Sequence, residues 1–368
     1  MKIISDTVSV PDMLPYLEQI ADPSEVLLVD IETTGLRAQE NTIYLIGCLY
    51  YREDTWNLIQ WLDTTGLEEK EVLSSFILFA GGCSTLIHYN GDRFDLPFIR
   101  NRLAFHGLTD VTADMASIDL FKMIKPFRGV LGLTEYKQTS MEELLGIERE
   151  QTAGGKELIR VYHQFIANPS PALVSKLTAH NKEELTGLVQ LLPLTVYDRL
   201  HRAQLNVYRA QTNYYDDYNG DRKEELFLFF RLPEAVPAPL YASASHCYVK
   251  LEEDKGVIKI PLYTESMKYF YANFKDYYYL PEEDMAIHRY LAVHVDKEHR
   301  IRCTPQTCYT RKSGTFLPQW SLFRTPFFKR AYDDEELFFE FTDECKRDRA
   351  FLSDYTTYVF AHVCGFEE

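Results

Sequence analysis

A chain of 368 residues has room for two domains, each with a core of its own, and its apolar (46%) and charged (26%) fractions are those of an ordinary globular protein. The formal net charge of −16 argues against a protein that coats nucleic acid by bulk attraction. An enzyme acting on nucleic acid survives that test, because bound cations reverse the local field at a site.

The seven cysteines are scattered and odd in number, and Cys303 and Cys308 lack the second pair a zinc finger requires, so reduced structural thiols are expected. Residues 1–20 carry no signal-peptide pattern and no apolar run reaches spanning length, which gives a cytoplasmic protein as the expectation.

In chain order, residues 1–24 read as a preamble with one short helix, interrupted by Pro11 and Asp22-Pro23. Val26–Ile31 is a short apolar run of the kind that forms a strand buried on both faces. It runs directly into Asp30-Ile31-Glu32-Thr33-Thr34-Gly35. Side chains alternate along a strand, so Asp30 and Glu32 point to one side. Two acids on one face of a buried strand repel each other and lose hydration, which calls for a cation between them. Mg²⁺ or Mn²⁺ suits carboxylate oxygens. The structural alternative is a strand that ends at a turn with both acids solvated.

Residues 42–51 and 55–62 read as two further strands forming a hairpin or meander, 68–79 as a helix, 84–89 as a strand, and 94–106 as a helix with Leu96, Ile99 and Leu103 on one side. Asp95 sits where the chain enters that helix, and its structural alternative is a first-turn acid. Shorter helices are expected over 118–124, 140–145 and 157–166, with Ser140-Met141-Glu142-Glu143 in the form of a capping box. Residues 171–192 read as one helix on which His180 and Glu184 share a face near Leu177, Leu188 and Leu191. A surface ion-pair stripe through Lys182 and Glu183 is the alternative there. Antiparallel strands followed by alternating helix and strand suit an α/β domain with a mixed central sheet flanked by helices.

These pieces together resemble a family. Asp30-x-Glu32 on a first strand, Asn90-x-x-x-Phe94-Asp95 at a helix start and His180-x-x-x-Glu184 on a later helix look like the three motifs of DEDD-type 3′→5′ exonucleases, which have the RNase H-like fold. Residues 24–194 also resemble bacterial predicted exonucleases described as ribonuclease H-like domain-containing. The resemblance implies Asp30, Glu32, Asp95 and Glu184 as ligands of two divalent ions, Mg²⁺ or Mn²⁺, with His180 as a fifth catalytic residue suited to proton transfer near neutral pH. It implies Thr33, Thr34 and Asn90 as substrate contacts, and DNA or RNA with a single-stranded 3′ end as the partner. Two positions depart from the pattern. Glu184 stands where the family has Asp, and His180 occupies the spacing at which one subfamily places Tyr.

The domain expectation is an RNase H-like exonuclease domain over 1–194, a helical and acidic linker over 195–225, and a smaller, β-rich α+β domain over 226–368. In the last, strands are expected over 226–232, 248–251, 257–263, 268–280 and 336–341, helices over 282–295 and 345–364, and a hairpin turning at Lys312-Ser313-Gly314. Residues 297–330 carry eight basic side chains against one acid, a local reversal of sign interleaved with Tyr309, Phe316, Trp320 and Phe323. Arg311 and Lys312 beside the expected turn are candidate contacts to a single-stranded backbone. The alternative is a domain whose aromatics are core and whose cations balance neighbouring acids, or which holds the protein in a homodimer. Beside the exonuclease stand two further readings, an endonuclease of the same fold and a weakened module that only binds nucleic acid or a protein.

Overall fold

The computed structural model describes residues 1–149 and 154–366. The chain divides into two units, one of residues 1–200 with 236–238, the other of residues 201–235 with 239–368.

The first unit is built on a six-stranded sheet of β1 (Lys2–Val8), β2 (Val26–Thr33), β3 (Ile43–Arg52), β4 (Thr55–Leu62), β5 (Thr85–His88) and β6 (Ala116–Asp119), in the spatial order β1-β4-β3-β2-β5-β6. The first four strands pair antiparallel, and β5 and β6 join parallel to β2. Its helices are α1 (Leu14–Glu18), α2 (Glu69–Ala80), α3 (Asp95–His106), α4 (Leu120–Ile124), α5 (Gln138–Leu144), α6 (Gly155–Ala167), α7 (Pro171–Gln190) and α8 (Thr195–Arg202), the last of which contains the unit boundary.

β2 lies inside the sheet with helices packed on both of its faces, and its alternation decides what each face does. Leu27, Val29 and Ile31 pack with Phe76 of α2 and Ile99 and Leu103 of α3, each burial contributing about 1.5–3 kcal/mol. The opposite face carries Asp30 and Glu32 and is covered by α7. Beside it Tyr44, Leu45 and Leu62 pack on Leu158, Val161, Tyr162 and Phe165 of α6 and on Leu177 of α7. Helix α7 starts where Ser170 accepts a hydrogen bond from the Leu173 N–H and Pro171 occupies the first turn. Helix α3 ends at Gly107, whose φ of +66° suits a residue without Cβ.

Most of the expected strands and helices between residues 26 and 192 form, with ends displaced by a few residues, but the helix expected over 118–124 begins only at Leu120 because 116–119 pair with β5 as the unexpected strand β6. Two further details differ. The preamble contains β1, an exposed edge strand, and its polar pattern explains why no strand signal was visible. The Ser140 capping box does not form, since α5 already begins at Gln138.

The second unit is β-rich. β7 (Asn206–Asp216), β8 (Arg222–Arg231), β9 (Leu240–Ala244), β10 (Cys247–Glu252), β11 (Lys255–Phe270), β15 (Tyr309–Gln319) and β16 (Leu337–Glu340) make a seven-stranded sheet, and β12 (Tyr277–Leu280), β13 (Met285–His288) and β14 (Ile301–Arg302) a three-stranded one. Short α9 (Arg289–Ala292) and α10 (Asp343–Arg347) precede α11 (Arg349–Cys364), which ends at Gly365.

Three expectations are corrected here. Residues 206–225 of the expected linker belong to a paired β7–β8 hairpin, whose tip is the acidic stretch 217–221. Lys312-Ser313-Gly314 is not a turn, since these residues pair with Met267, Ser266 and Glu265 in mid-strand. Residues 282–295 are mostly not helical, since β13 pairs with β12. Among the described residues no helix is long and apolar enough to cross a membrane.

Candidate active site

The covered face of β2 meets α7 at the carboxylate pair. His180 Nε2 lies 3.7 Å from Glu32 Oε1 and 3.4 Å from Glu184 Oε1. Each of Glu32, His180 and Glu184 offers one ligand atom within 4.8 Å of the others. Asp30, Asp95 and Glu184 line one cleft of about 770 Å³, and the field of Glu184 is felt by Asp30, Glu32 and Asp95 alike.

Local structure places each acid. A register shift in the β2–β3 ladder falls between Glu32 and Thr33, at the end of the strand, where bulges commonly re-aim side chains. Glu32 Oε2 accepts from the Tyr44 hydroxyl at 3.3 Å, and Tyr44 is itself stacked on Tyr162. Asp95 opens α3 after a turn in which Asn90 takes a φ of +59°. That turn is anchored by Asp119, which accepts from the backbone N–H groups of Asn90 and Asp92, and by His88, whose Nδ1 accepts from the Gly91 N–H. A Cβ on Gly91 would come within 2.6 Å of the His88 ring, so the close approach requires glycine. His88 is a core histidine, as its place on a buried strand suggests.

The electrostatics are those of crowded acids. Burial pushes the Asp30 carboxyl well above its ordinary range, and Glu184, Asp95 and Glu32 add repulsion. Burial and the Glu184 charge raise Glu32 to about 8. Asp95 is pushed up by burial to about 7, although the backbone amides of Asp95 and Ile31 pull the other way. Glu184 is different. Burial pushes it up, but His180 and Arg149 outweigh burial and hold it low. For His180, burial favours the neutral ring, yet the Glu184 hydrogen bond and the charges of Glu184 and Glu32 raise it.

The donor set fits a hard divalent cation. Glu32 Oε1 is buried without a hydrogen-bond partner among the described residues and faces the cluster, and three acids here resist ionisation for want of positive charge.

Asp92 turns away, accepting from Ser117 Oγ and pairing with Lys122. Glu183 lines a different cleft on the far side of α7. Asn90 lines the main cleft. The Thr33 hydroxyl donates to the Gly35 carbonyl, and the Thr34 hydroxyl accepts from the Thr42 N–H, so both shape the loop after β2. In the second unit Arg311 pairs with Asp284 and Lys312 with Glu340.

Sequence reasoning missed several residues around the acids. Arg149 bridges Glu142 and Glu184, and Gln138 donates to the Glu184 carbonyl at 2.7 Å. The cleft also carries Arg93, Lys125, Arg128 and Lys137, with Tyr89, Phe121 and Tyr136 among its walls. The run Lys125-Pro126-Phe127-Arg128 is a basic and aromatic signal that could have pointed there.

A parallel extension of an antiparallel sheet, with acids from the central strand facing a helix, is the RNase H-like arrangement. Residues 27–196 match the family model described as RNase_H superfamily, and the chain carries an RNase H-like domain there. No curated protein matches the sequence. Among solved structures, similarity extends to the family B DNA polymerase of Pyrobaculum calidifontis (12% identity, 67% of this chain and 34% of that one, TM-score 0.39). It extends also to exonuclease I (12% identity, 56% and 54%, TM-score 0.32). A third is Brucella melitensis NrnC bound to pGG (14% identity, 52% and 89%, TM-score 0.27). The chain spans about a third of the polymerase and about half of exonuclease I. Likeness at this level carries no argument about activity. The RNase H-like fold together with the acidic cluster supports a nuclease-type enzyme.

Proposed function

We propose that this protein is a divalent-cation-dependent 3′→5′ exonuclease that hydrolyses phosphodiester bonds of DNA or RNA. The observation that carries the reading is that Asp30, Asp95 and Glu184 line one cleft while Glu32 joins Glu184 through His180, which lies between them. The direction of attack rests on the likeness of the three motifs to those of DEDD-type exonucleases.

Asp30, Glu32, Asp95 and Glu184 would hold two Mg²⁺ or Mn²⁺ ions, which when bound lower the pKa of a water and neutralise charge developing on the phosphate and the leaving oxygen. The chain's own share is placement and proton handling. Burial favours the neutral ring of His180 while Glu184 and Glu32 favour its charged form, and the ring stands between these two acids as the group suited to move a proton of the attacking water. Tyr44 steadies Glu32 from behind. Arg93, Lys125, Arg128 and Lys137 supply the positive charge that guides a phosphate backbone into the cleft of an otherwise acidic protein. Tyr89, Phe121 and Tyr136 supply faces on which bases stack.

The test is digestion of matched DNA and RNA strands, labelled at the 5′ end, with Mn²⁺ or Mg²⁺. The expected product is a ladder that shortens from the 3′ end and disappears with a chelator. Internal cuts would support the endonuclease instead, and binding without products a non-catalytic module.

A further inference from the structure

Asp30, Gly47 and Gln60 form a row across three adjacent strands. Asp30 of β2 pairs with Gly47 of β3, and Gly47 pairs with Gln60 of β4. Over the middle of this row lies the side chain of Asn181 from α7, fully buried at 0% exposure. Its Nδ2 donates to Asp30 Oδ2 at 2.7 Å, and its Oδ1 accepts from Gln60 Nε2 at 2.7 Å. Gln60 Nε2 also donates to the Thr178 carbonyl at 2.9 Å, so both of its N–H groups are engaged and its amide cannot turn. A Cβ on Gly47 would stand 1.8 Å from Asn181 Oδ1, so the glycine is the slot that admits the amide.

We infer that Asn181, oriented by Gln60 through the gap at Gly47, is a positioning residue that fixes Asp30 for cation binding. A carboxylate accepts hydrogen bonds and an amide has one donating end and one accepting end. The Gln60 donor therefore decides that the donating end of Asn181 faces Asp30. This occupies Oδ2 and leaves Oδ1 presented to the cleft. A buried carboxylate beside three other acids would otherwise rotate away from its neighbours. The relay holds one rotamer of Asp30 before any ion arrives. Partners behind a metal ligand typically change affinity about 10–100-fold when removed.

The inference rests on the proposed metal site, and its test separates the two. Mn²⁺ binding is titrated by electron paramagnetic resonance on the full chain, with folding followed by circular dichroism and cleavage followed separately. Asn181→Ala and the shape-conserving Gln60→Met are expected to bind Mn²⁺ about tenfold or more weakly while remaining folded. At saturating Mn²⁺ both should recover most of kcat with KM for the strand unchanged. Gln60→Glu is the discriminating variant. A carboxylate there accepts rather than donates, turns the Asn181 amide about, and points its oxygen at Asp30. Its loss of Mn²⁺ affinity should exceed that of Gln60→Met. A purely structural role would lower stability in all three without that order. Should Asn181→Ala not fold, the two Gln60 variants decide. Folded Gln60 variants with wild-type Mn²⁺ affinity overturn the relay alone. A wild type that binds no Mn²⁺ overturns the metal site and the relay with it.

Discussion

His180 and Glu184 sit one turn apart on α7, with Nε2 3.4 Å from Oε1, and the same Glu184 oxygen lies 3.3 Å from Nη1 of Arg149. His180 and Arg149 thus both meet the carboxylate that the proposed function sets at the fourth acidic position. The extra methylene of Glu lengthens its reach by one bond. Arg149 remains anchored on buried Glu142. Of the four acids Glu184 is the one held low without metal, because it has Arg149 beside it as well as His180.

Asp30→Asn should abolish cleavage and at the same time stabilise the metal-free protein. The substitution deletes a ligand oxygen and also a charge that burial and three neighbouring acids disfavour. The Asn amide oxygen can still accept from Asn181, so the relay geometry survives. A gain of about 1 kcal/mol would raise the melting midpoint by roughly 2–4 °C for a unit of this size. Calorimetry in chelator at pH 8 measures it, together with the labelled-strand assay. Wild-type cleavage by the purified variant would place the metal site elsewhere.

The same crowding gives the metal-free protein a pH dependence of definite sign. Glu32 titrates from its ordinary 4.5 up to about 8 on folding, and Asp95 from 3.8 up to about 7. Between those limits the folded state binds more protons than the unfolded one, so stability falls as pH rises. The contribution is fully present below the ordinary carboxylate values and gone above about 8. His180, raised on folding, acts in the same direction. Melting midpoints in chelator should therefore decline from pH 6 to pH 9, and millimolar Mg²⁺ or Mn²⁺ should flatten the decline. A midpoint that rises over this range contradicts the crowded site.

The first half of the fold was legible because its elements carry strong local signals: a continuous apolar run at 26–29 and helical spacing at 96, 99 and 103. In the second half the strands expected at 226–232, 248–251, 257–263 and 336–341 and the helix at 345–364 form, but others were hidden because those strands obey partners rather than propensity. Lys312-Ser313-Gly314 reads as a turn until β11 pairs across it, and 206–216 reads as polar linker until β8 does. The acids of the site could be chosen because chemistry requires them. Asn181, Gln60 and Gly47 could not, since their relation exists only once three strands are in register. Arg311 and Lys312 stood out by charge alone, and the partners that neutralise them, Asp284 and Glu340, lie outside the basic run.

Glu69 of α2 should prove a main stability determinant of the first unit. It is buried, pairs with Arg102 and His106, and accepts from the Ile43 N–H at 2.8 Å. Burial pushes its carboxyl up, but Arg102 and His106 prevail and hold it below the ordinary range. Glu69→Gln leaves Arg102 buried and unpaired, at a cost of about 3–5 kcal/mol. Because the folded value is depressed, this stability is present above the ordinary carboxylate value and is lost as pH falls through the folded one. Urea denaturation at pH 7 and at pH 4 checks both points: the wild-type advantage should be large at pH 7 and shrink toward pH 4.

The cations of the cleft and those of the second unit should differ in their effect on strand binding. Lys125 and Arg128 are exposed on the cleft wall, where Arg128 lies over the Tyr136 ring at 5.4 Å, whereas Lys137 pairs with Glu135. Arg311 and Lys312 are already balanced by Asp284 and Glu340. Phosphate contacts set affinity and salt dependence, at about 0.7 of a log–log unit per contact for single strands. Lys125→Ala with Arg128→Ala should therefore weaken binding of a labelled oligonucleotide and reduce the salt slope by roughly 1.4, with kcat at saturation little changed. Arg311→Ala with Lys312→Ala should shift both quantities less, because removing a neutralised cation exposes its acid rather than deleting a free charge. Fluorescence anisotropy across a salt series, with Asp30→Asn as background to prevent cleavage, compares the two pairs directly. A larger loss from the Arg311 and Lys312 pair would move the strand-binding surface to the second unit.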